Sequence, residues 1–133
     1  MASALHYLHT EKRLLHGDLK SGNILVLGDF EAVKLCDFGV TLALNDKLEK
    51  KHAEDYYIGT GPWVAKEVDE EDGVVGHKTD VFALGCTIYE MLALEAPHVN
   101  KLPQVRFSQR RLDSELSLFL VAVRCYVHNS KVF

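Results

Sequence analysis

The chain has 133 residues, of which 47% are apolar, and 15 basic against 19 acidic residues give it a formal net charge of −4. That length and apolar content suit one modest buried core rather than a disordered chain, and without a basic excess or run there is no electrostatic footprint for nucleic acid. Cys36, Cys86 and Cys125 are odd in number, far apart and without C-x-x-C spacing, which argues against a disulfide framework or zinc site and for a reducing compartment.

From its start the sequence lacks the charged opening and apolar run of a leader. Leu5 and Leu8 share one face at helical spacing, with Met1 and Ala4 alongside, which predicts the end of an amphipathic helix over residues 1–9. Residues 13–15 read as a short strand running into the loop His16-Gly17-Asp18-Leu19-Lys20-Ser21-Gly22-Asn23. The apolar run at 23–27, a turn at Gly28-Asp29-Phe30 and a second run at 32–36 predict a β-hairpin. Its two ends bring Asn23 and Asp37 to one rim although they lie fourteen positions apart.

The residue types in that loop suit phosphoryl transfer. A phosphoryl group moving between two oxygens needs a held Mg²⁺, a cation on its charged oxygens and an oriented attacking hydroxyl. Asp18 can accept or orient the hydroxyl proton, Lys20 can meet the phosphate, and Asn23 and Asp37 offer hard oxygen ligands. Ordinary turn chemistry would account for any one of these Asp and Asn residues, but less well for the set together with the downstream sequence.

At these residues the chain resembles the protein-kinase family, whose H-R-D-L-x-x-x-N and D-F-G motifs correspond to the stretch from His16 to Asn23 and to Asp37-Phe38-Gly39. The resemblance implies that Asp18 is the catalytic base and that Lys20 supports the phosphate. It also implies that Asn23 and Asp37 bind Mg²⁺, that ATP is the cofactor, and that His16 and Phe38 are structural. Leu25 would form part of the floor beneath the adenine, plain core packing being the alternative. Gly17 departs from the family, which usually has arginine there to receive a phosphorylated activation segment. His16-Gly17-Asp18 is also the form found in small-molecule phosphotransferases of the aminoglycoside and choline kinase type, the runner-up reading.

Two later stretches favour the protein kinases. Gly59-Thr60-Gly61-Pro62-Trp63-Val64-Ala65-Lys66-Glu67 resembles the end of an activation segment, with Lys66 in place of the usual proline. Thr60 would then pack against Asp18 and Lys20 and, with Trp63 and Glu67, shape the peptide site. In the family Glu67 would pair with an arginine late in the domain, in a part that residues 101–133 do not resemble. Asp80-Val81-Phe82-Ala83-Leu84-Gly85 resembles the opening of the family's central helix.

Between them, residues 45–55 are rich in Lys, Glu and Asp and read as a mobile loop. Thr41, Tyr56, Tyr57 and Thr60 are hydroxyls open to phosphorylation, although a solvated or packed role is favoured for the two tyrosines. Residues 81–94 are apolar almost all round, the pattern of a helix buried on every side. Thr79 is its expected N-cap, and Asp80 is expected to reach back to the amides of the catalytic loop. Cys86 and Met91 read as packing residues.

The likeness narrows, on the turn at residues 28–31, Tyr57-Ile58-Gly59-Thr60 and Pro97-His98, to kinases of the dual-specificity, mitogen-activated protein kinase kinase type. It covers residues 1–100, read as a partial kinase domain. Residues 101–133 form a divergent tail, with a helix expected from Asp113. The ending Ser130-Lys131-Val132-Phe133 lacks the acidic Thr-x-Val tail that would favour a PDZ contact.

The expected fold is α+β: a protein-kinase C-terminal lobe, mainly helical with a small catalytic hairpin, without the N-terminal lobe. The expected function is ATP-dependent phosphorylation of serine or threonine on protein substrates. Without the other lobe, nucleotide binding is expected to be weak and turnover slight. The alternative is a non-catalytic fragment that competes with the full-length kinase for partners. Neither a membrane nor nucleic acid is expected as a partner, and the cytoplasm or nucleus is the expected location.

Overall fold

The computed structural model describes residues 1–28 and 31–97. The tip of the expected turn at 29–30, His98, the expected helix from Asp113 and Cys125 lie outside the described residues.

The first helix, α1 (Ala2–Thr10), forms where the apolar spacing predicts it and buries Leu5, Leu8 and His9. Leu5 and His9 are four apart, so one face carries both into the interior. The helix ends as Glu11 N–H bonds back to Tyr7 O at 3.0 Å. Arg13, at φ 54°, turns the chain into β1 (Leu14–Leu15).

Next come β2 (Ile24–Leu27) and β3 (Ala32–Leu35), an antiparallel hairpin that pairs Ile24 with Leu35 and Leu27 with Ala32. Alternation along two paired strands gives such a sheet two faces, and neither is fully covered by the described residues. Leu25, Val26 and Leu27 are exposed, Leu25 by 50%. The reading of Leu25 as plain core is therefore corrected.

A short strand, β4 (Leu42–Ala43), pairs with β1 in the register Leu14 to Ala43 and Leu15 to Leu42. This long-range pairing ties the entry of the loop at residues 16–23 to the segment after Gly39. Residues 45–55 differ from the mobile loop read from their composition. Asn45 Oδ1 accepts from Lys47 and Glu49 N–H, Leu44 bridges to Lys50 and Glu49 to Gly76, and Lys50 Nζ donates to Asp55 O at 2.7 Å. Their polarity reflects exposure, while backbone pairing and one ammonium order the chain.

The second helix, α2 (His77–Ala93), starts after Gly76 rather than at Thr79. Thr79 lies in the first turn, where its Oγ1 accepts from Gly76 N–H at 3.2 Å. A side chain at Gly76 would place its Cβ 2.5 Å from Leu48 O, so the close approach of the 45–50 turn favours glycine there. Burial on every side is also corrected. Thr79, Asp80, Ala83, Leu84 and Thr87 form a buried stripe, whereas Met91 and Leu94 are exposed. The four-residue spacing marks the single face that α1 and the loops cover. The core is the cluster of Leu5, Leu19, Ala83 and Leu84, with Leu35, Trp63, Val81 and Ile88 packed around it.

Candidate active site

The loop between β1 and β2 is held from beneath by one carboxylate. Asp80, fully buried in the first turn of α2, accepts from His16 N–H at 2.7 Å and from Gly17 N–H at 3.0 Å. Its Oδ2 also accepts from His9 Nε2 at 2.8 Å, with both side chains wholly buried. Three donors on one carboxylate satisfy a charge that would otherwise be costly in the interior. Composition gave no sign of the His9 contact. The signal was positional, a histidine four residues after core Leu5.

Gly17 sits at φ +81°, and a Cβ there would lie 2.9 Å from Val40 O. Departure from the family's arginine thus falls where the backbone is left-handed and tightly approached. His16 is fully buried; its Nε2 lies 3.1 Å from Cys36 O and its ring 5.2 Å from that of Phe38. Phe38 is itself 47% exposed. These contacts join the loop at residues 16–23 to the segment that follows β3.

Above this support the side chains converge. Thr60 Oγ1 donates to Asp18 Oδ1 at 2.6 Å, and Lys20 Nζ donates to Asp18 Oδ2 and to Thr60 Oγ1, both at 2.7 Å. Asn23 ends a 3-10 turn (Ser21–Asn23) and its Nδ2 donates to Asp18 O at 2.7 Å and Asp18 Oδ2 at 3.0 Å. Burial alone would raise the Asp18 pKa, but the bonds from Lys20 and Thr60, the Lys20 charge and the bond from Asn23 hold it below the usual carboxylate range. Asp18 is therefore an ionised, oriented acceptor at neutral pH.

Asp37 reaches the same end of the hairpin by backbone pairing, since Cys36 N–H bonds to Asn23 O at 3.0 Å. Its φ of 60° is left-handed, and Oδ1 accepts from Gly39 N–H at 3.3 Å. Among the described residues its carboxylate makes no other hydrogen bond, and it stays exposed.

The peptide-side residues split. Thr60 enters the cluster, whereas Trp63 packs on the core and Glu67 accepts from Thr79 Oγ1 at 3.1 Å. Tyr57 is largely covered, and burial first, then the charges of Asp80, Asp18 and Glu67, raises its pKa above the ordinary tyrosine value. Tyr56 beside it is 85% exposed. Burial likewise pushes the Cys86 thiol up to about 11, in keeping with a packing residue.

A protein kinase domain model matches residues 1–129. The chain belongs to the protein kinase family, which decides between the two readings that His16-Gly17-Asp18 left open. It is 52% identical over 100 residues to the human lymphokine-activated killer T-cell-originated protein kinase, the PDZ-binding kinase to which the narrower motif set points. That match covers 75% of this chain and 31% of the relative. Serine/threonine-protein kinase 10 of Danio rerio is 40% identical over 102 residues, or 74% of this chain and 10% of that protein. A Caenorhabditis briggsae protein, mitogen-activated protein kinase kinase kinase dlk-1, is 36% identical over 75% of this chain and 11% of its own length. The chain thus spans at most about a third of each of these relatives.

Proposed function

We propose that this chain is the C-terminal-lobe portion of a serine/threonine protein kinase, of dual-specificity, mitogen-activated protein kinase kinase type, acting in the cytoplasm or nucleus. The reaction is transfer of the γ-phosphoryl group of ATP to a protein hydroxyl. The observation that carries this reading is the closed triangle of Asp18, Lys20 and Thr60, braced by Asn23.

The donor set fits Mg²⁺. Asn23 turns its amide nitrogen to Asp18 and keeps its carbonyl oxygen for a ligand, and Asp37 offers a second hard oxygen. Mg²⁺ usually takes one or two protein oxygens and completes its shell with water and phosphate. Bound there, Mg²⁺ would neutralise charge on the nucleotide phosphates. Lys20 has three donors and directs two of them to Asp18 and Thr60, leaving one for a phosphate oxygen. Asp18 retains lone pairs on both oxygens and aligns the attacking hydroxyl. Its lowered pKa makes it a weak base, which suits a loose transition state where the proton moves late. Leu25, half-exposed at the start of the hairpin, offers apolar surface to the adenine.

Calorimetry of Mg²⁺-dependent ATP binding by the purified, folded chain, with Asp37→Asn as control, tests this reading. Weak binding that disappears in the variant supports it. A folded chain whose ATP binding is absent, or is the same with and without Mg²⁺ and Asp37, would remove it. The non-catalytic reading, competition with a full-length kinase for protein partners, would then take its place.

A further inference from the structure

The first residue of α2 does more than begin a helix. His77 N–H donates to Leu48 O at 2.9 Å, and His77 Nδ1 lies 3.2 Å from the same carbonyl. A carbonyl only accepts, so Nδ1 carries the proton in this contact. The His77 ring stands edge-on to the His9 ring, with centroids 6.1 Å apart and planes at 72°. His9 in turn bonds Asp80, which holds the His16 and Gly17 amides. One continuous set of contacts therefore runs from the 45–50 turn through His77, His9 and Asp80 to the catalytic loop.

We infer that His77 is a proton-sensitive positioning residue that couples the 45–50 turn to the geometry of the catalytic loop. Unlike the roles given to Asp18, Lys20, Asn23 and Asp37, this one does not depend on nucleotide or phosphoryl transfer.

The physical reason is the charge His77 would acquire. It stands at the N-terminus of α2, where the helix dipole disfavours a cation. Lys78 follows it on the same helix, His9 faces it from α1, and Glu49 pairs with neighbouring Gly76 from the turn. Of the two anions on its own helix, Asp80 lies in the same first turn and Glu90 thirteen positions on; three donors already engage Asp80. Burial comes first in holding His77 below the ordinary histidine value; His9 and Lys78 add to it, while Leu48 O and Asp80 oppose them. The neutral ring is therefore the form that fits. Because its folded pKa is depressed, the stabilisation is complete above the ordinary value and is lost as pH falls through the folded one. Protonation would push the first turn of α2 away from His9 and loosen the grip of Asp80 on the loop.

Amide exchange by NMR on the full chain reads this directly, from about pH 7.5 to about pH 5.5. After correction for intrinsic exchange, His16 and Gly17 amides should exchange roughly tenfold faster at the acid end, with the midpoint of the His77 ring titration. Ala83 and Leu84 amides in the helix interior should keep their protection, which separates this loosening from global acid unfolding. His77→Gln keeps a neutral donor near Leu48 O and should abolish the acid-dependent change. The same acid response in His77→Gln, or unchanged His16 and Gly17 protection in the unmodified chain, would overturn the inference. Should the variant not fold, the unmodified chain still decides: a midpoint that follows His9 rather than His77 overturns it equally.

Discussion

Asp80→Asn tests whether one buried carboxylate organises the catalytic loop. Asp80 accepts three bonds, from His16 N–H, Gly17 N–H and His9 Nε2, at 2.7 to 3.0 Å. Each hydrogen bond to a charged group contributes about 1.5–3 kcal/mol net, and an unsatisfied buried donor costs about as much again. Asparagine retains one acceptor oxygen and turns an NH₂ toward a donor, so at least one of the three bonds is lost. Breaking a wholly buried arrangement of this kind costs roughly 3–5 kcal/mol, a large part of the roughly 5–15 kcal/mol available to a domain. Thermal unfolding followed by circular dichroism should show Tm falling by on the order of 10–20 °C. His9→Gln combined with Asp80→Asn should be less destabilising than the sum of the single changes, because the two residues share a bond. A loss below about 1 kcal/mol, or strict additivity, would refute the idea that these donors depend on Asp80.

Two further outcomes follow from the same geometry. Gly17→Ala should lower stability by about 1–3 kcal/mol in denaturant unfolding, from the left-handed backbone and the Val40 carbonyl 2.9 Å from its Cβ; an unchanged midpoint would show that the loop relaxes freely. In Lys20→Met the strongest opposition to burial of Asp18 is gone, so its carboxyl should titrate at a higher pH, as followed by carbon NMR. The sign is fixed: a depressed carboxylate stabilises above its ordinary value of 3.8 and loses that contribution as pH falls through the folded value. The variant should therefore show a smaller acid-dependent loss of stability than the parent chain, because less of the depression remains to be lost.

The loop chemistry was legible because it is local. Asp18, Lys20 and Asn23 lie within six positions, and the alternating hairpin that follows carries Asp37 back to the same end. The register of that hairpin follows from strand length and turn position, and α1 follows from the spacing of Leu5 and Leu8. Family membership likewise rests on short motifs that survive without any knowledge of packing.

What the residues could not reveal came from pairings distant in sequence. Nothing local distinguishes a polar loop that hangs free from one pinned by Leu44, Glu49 and Lys50, so residues 45–55 read as mobile. Periodicity shows which residues of α2 are apolar but not which neighbours cover them, and hence not that Met91 and Leu94 stay exposed. His9 meets Asp80 across 71 positions and His77 across the helix pair. By itself the sequence determined the chemical groups, their local spacing and the two-strand hairpin, because each depends on bonds within a few residues. Tertiary structure alone decided which buried charge holds the loop, which histidines stand beside it and where the helix begins, because those depend on which surfaces exclude water together.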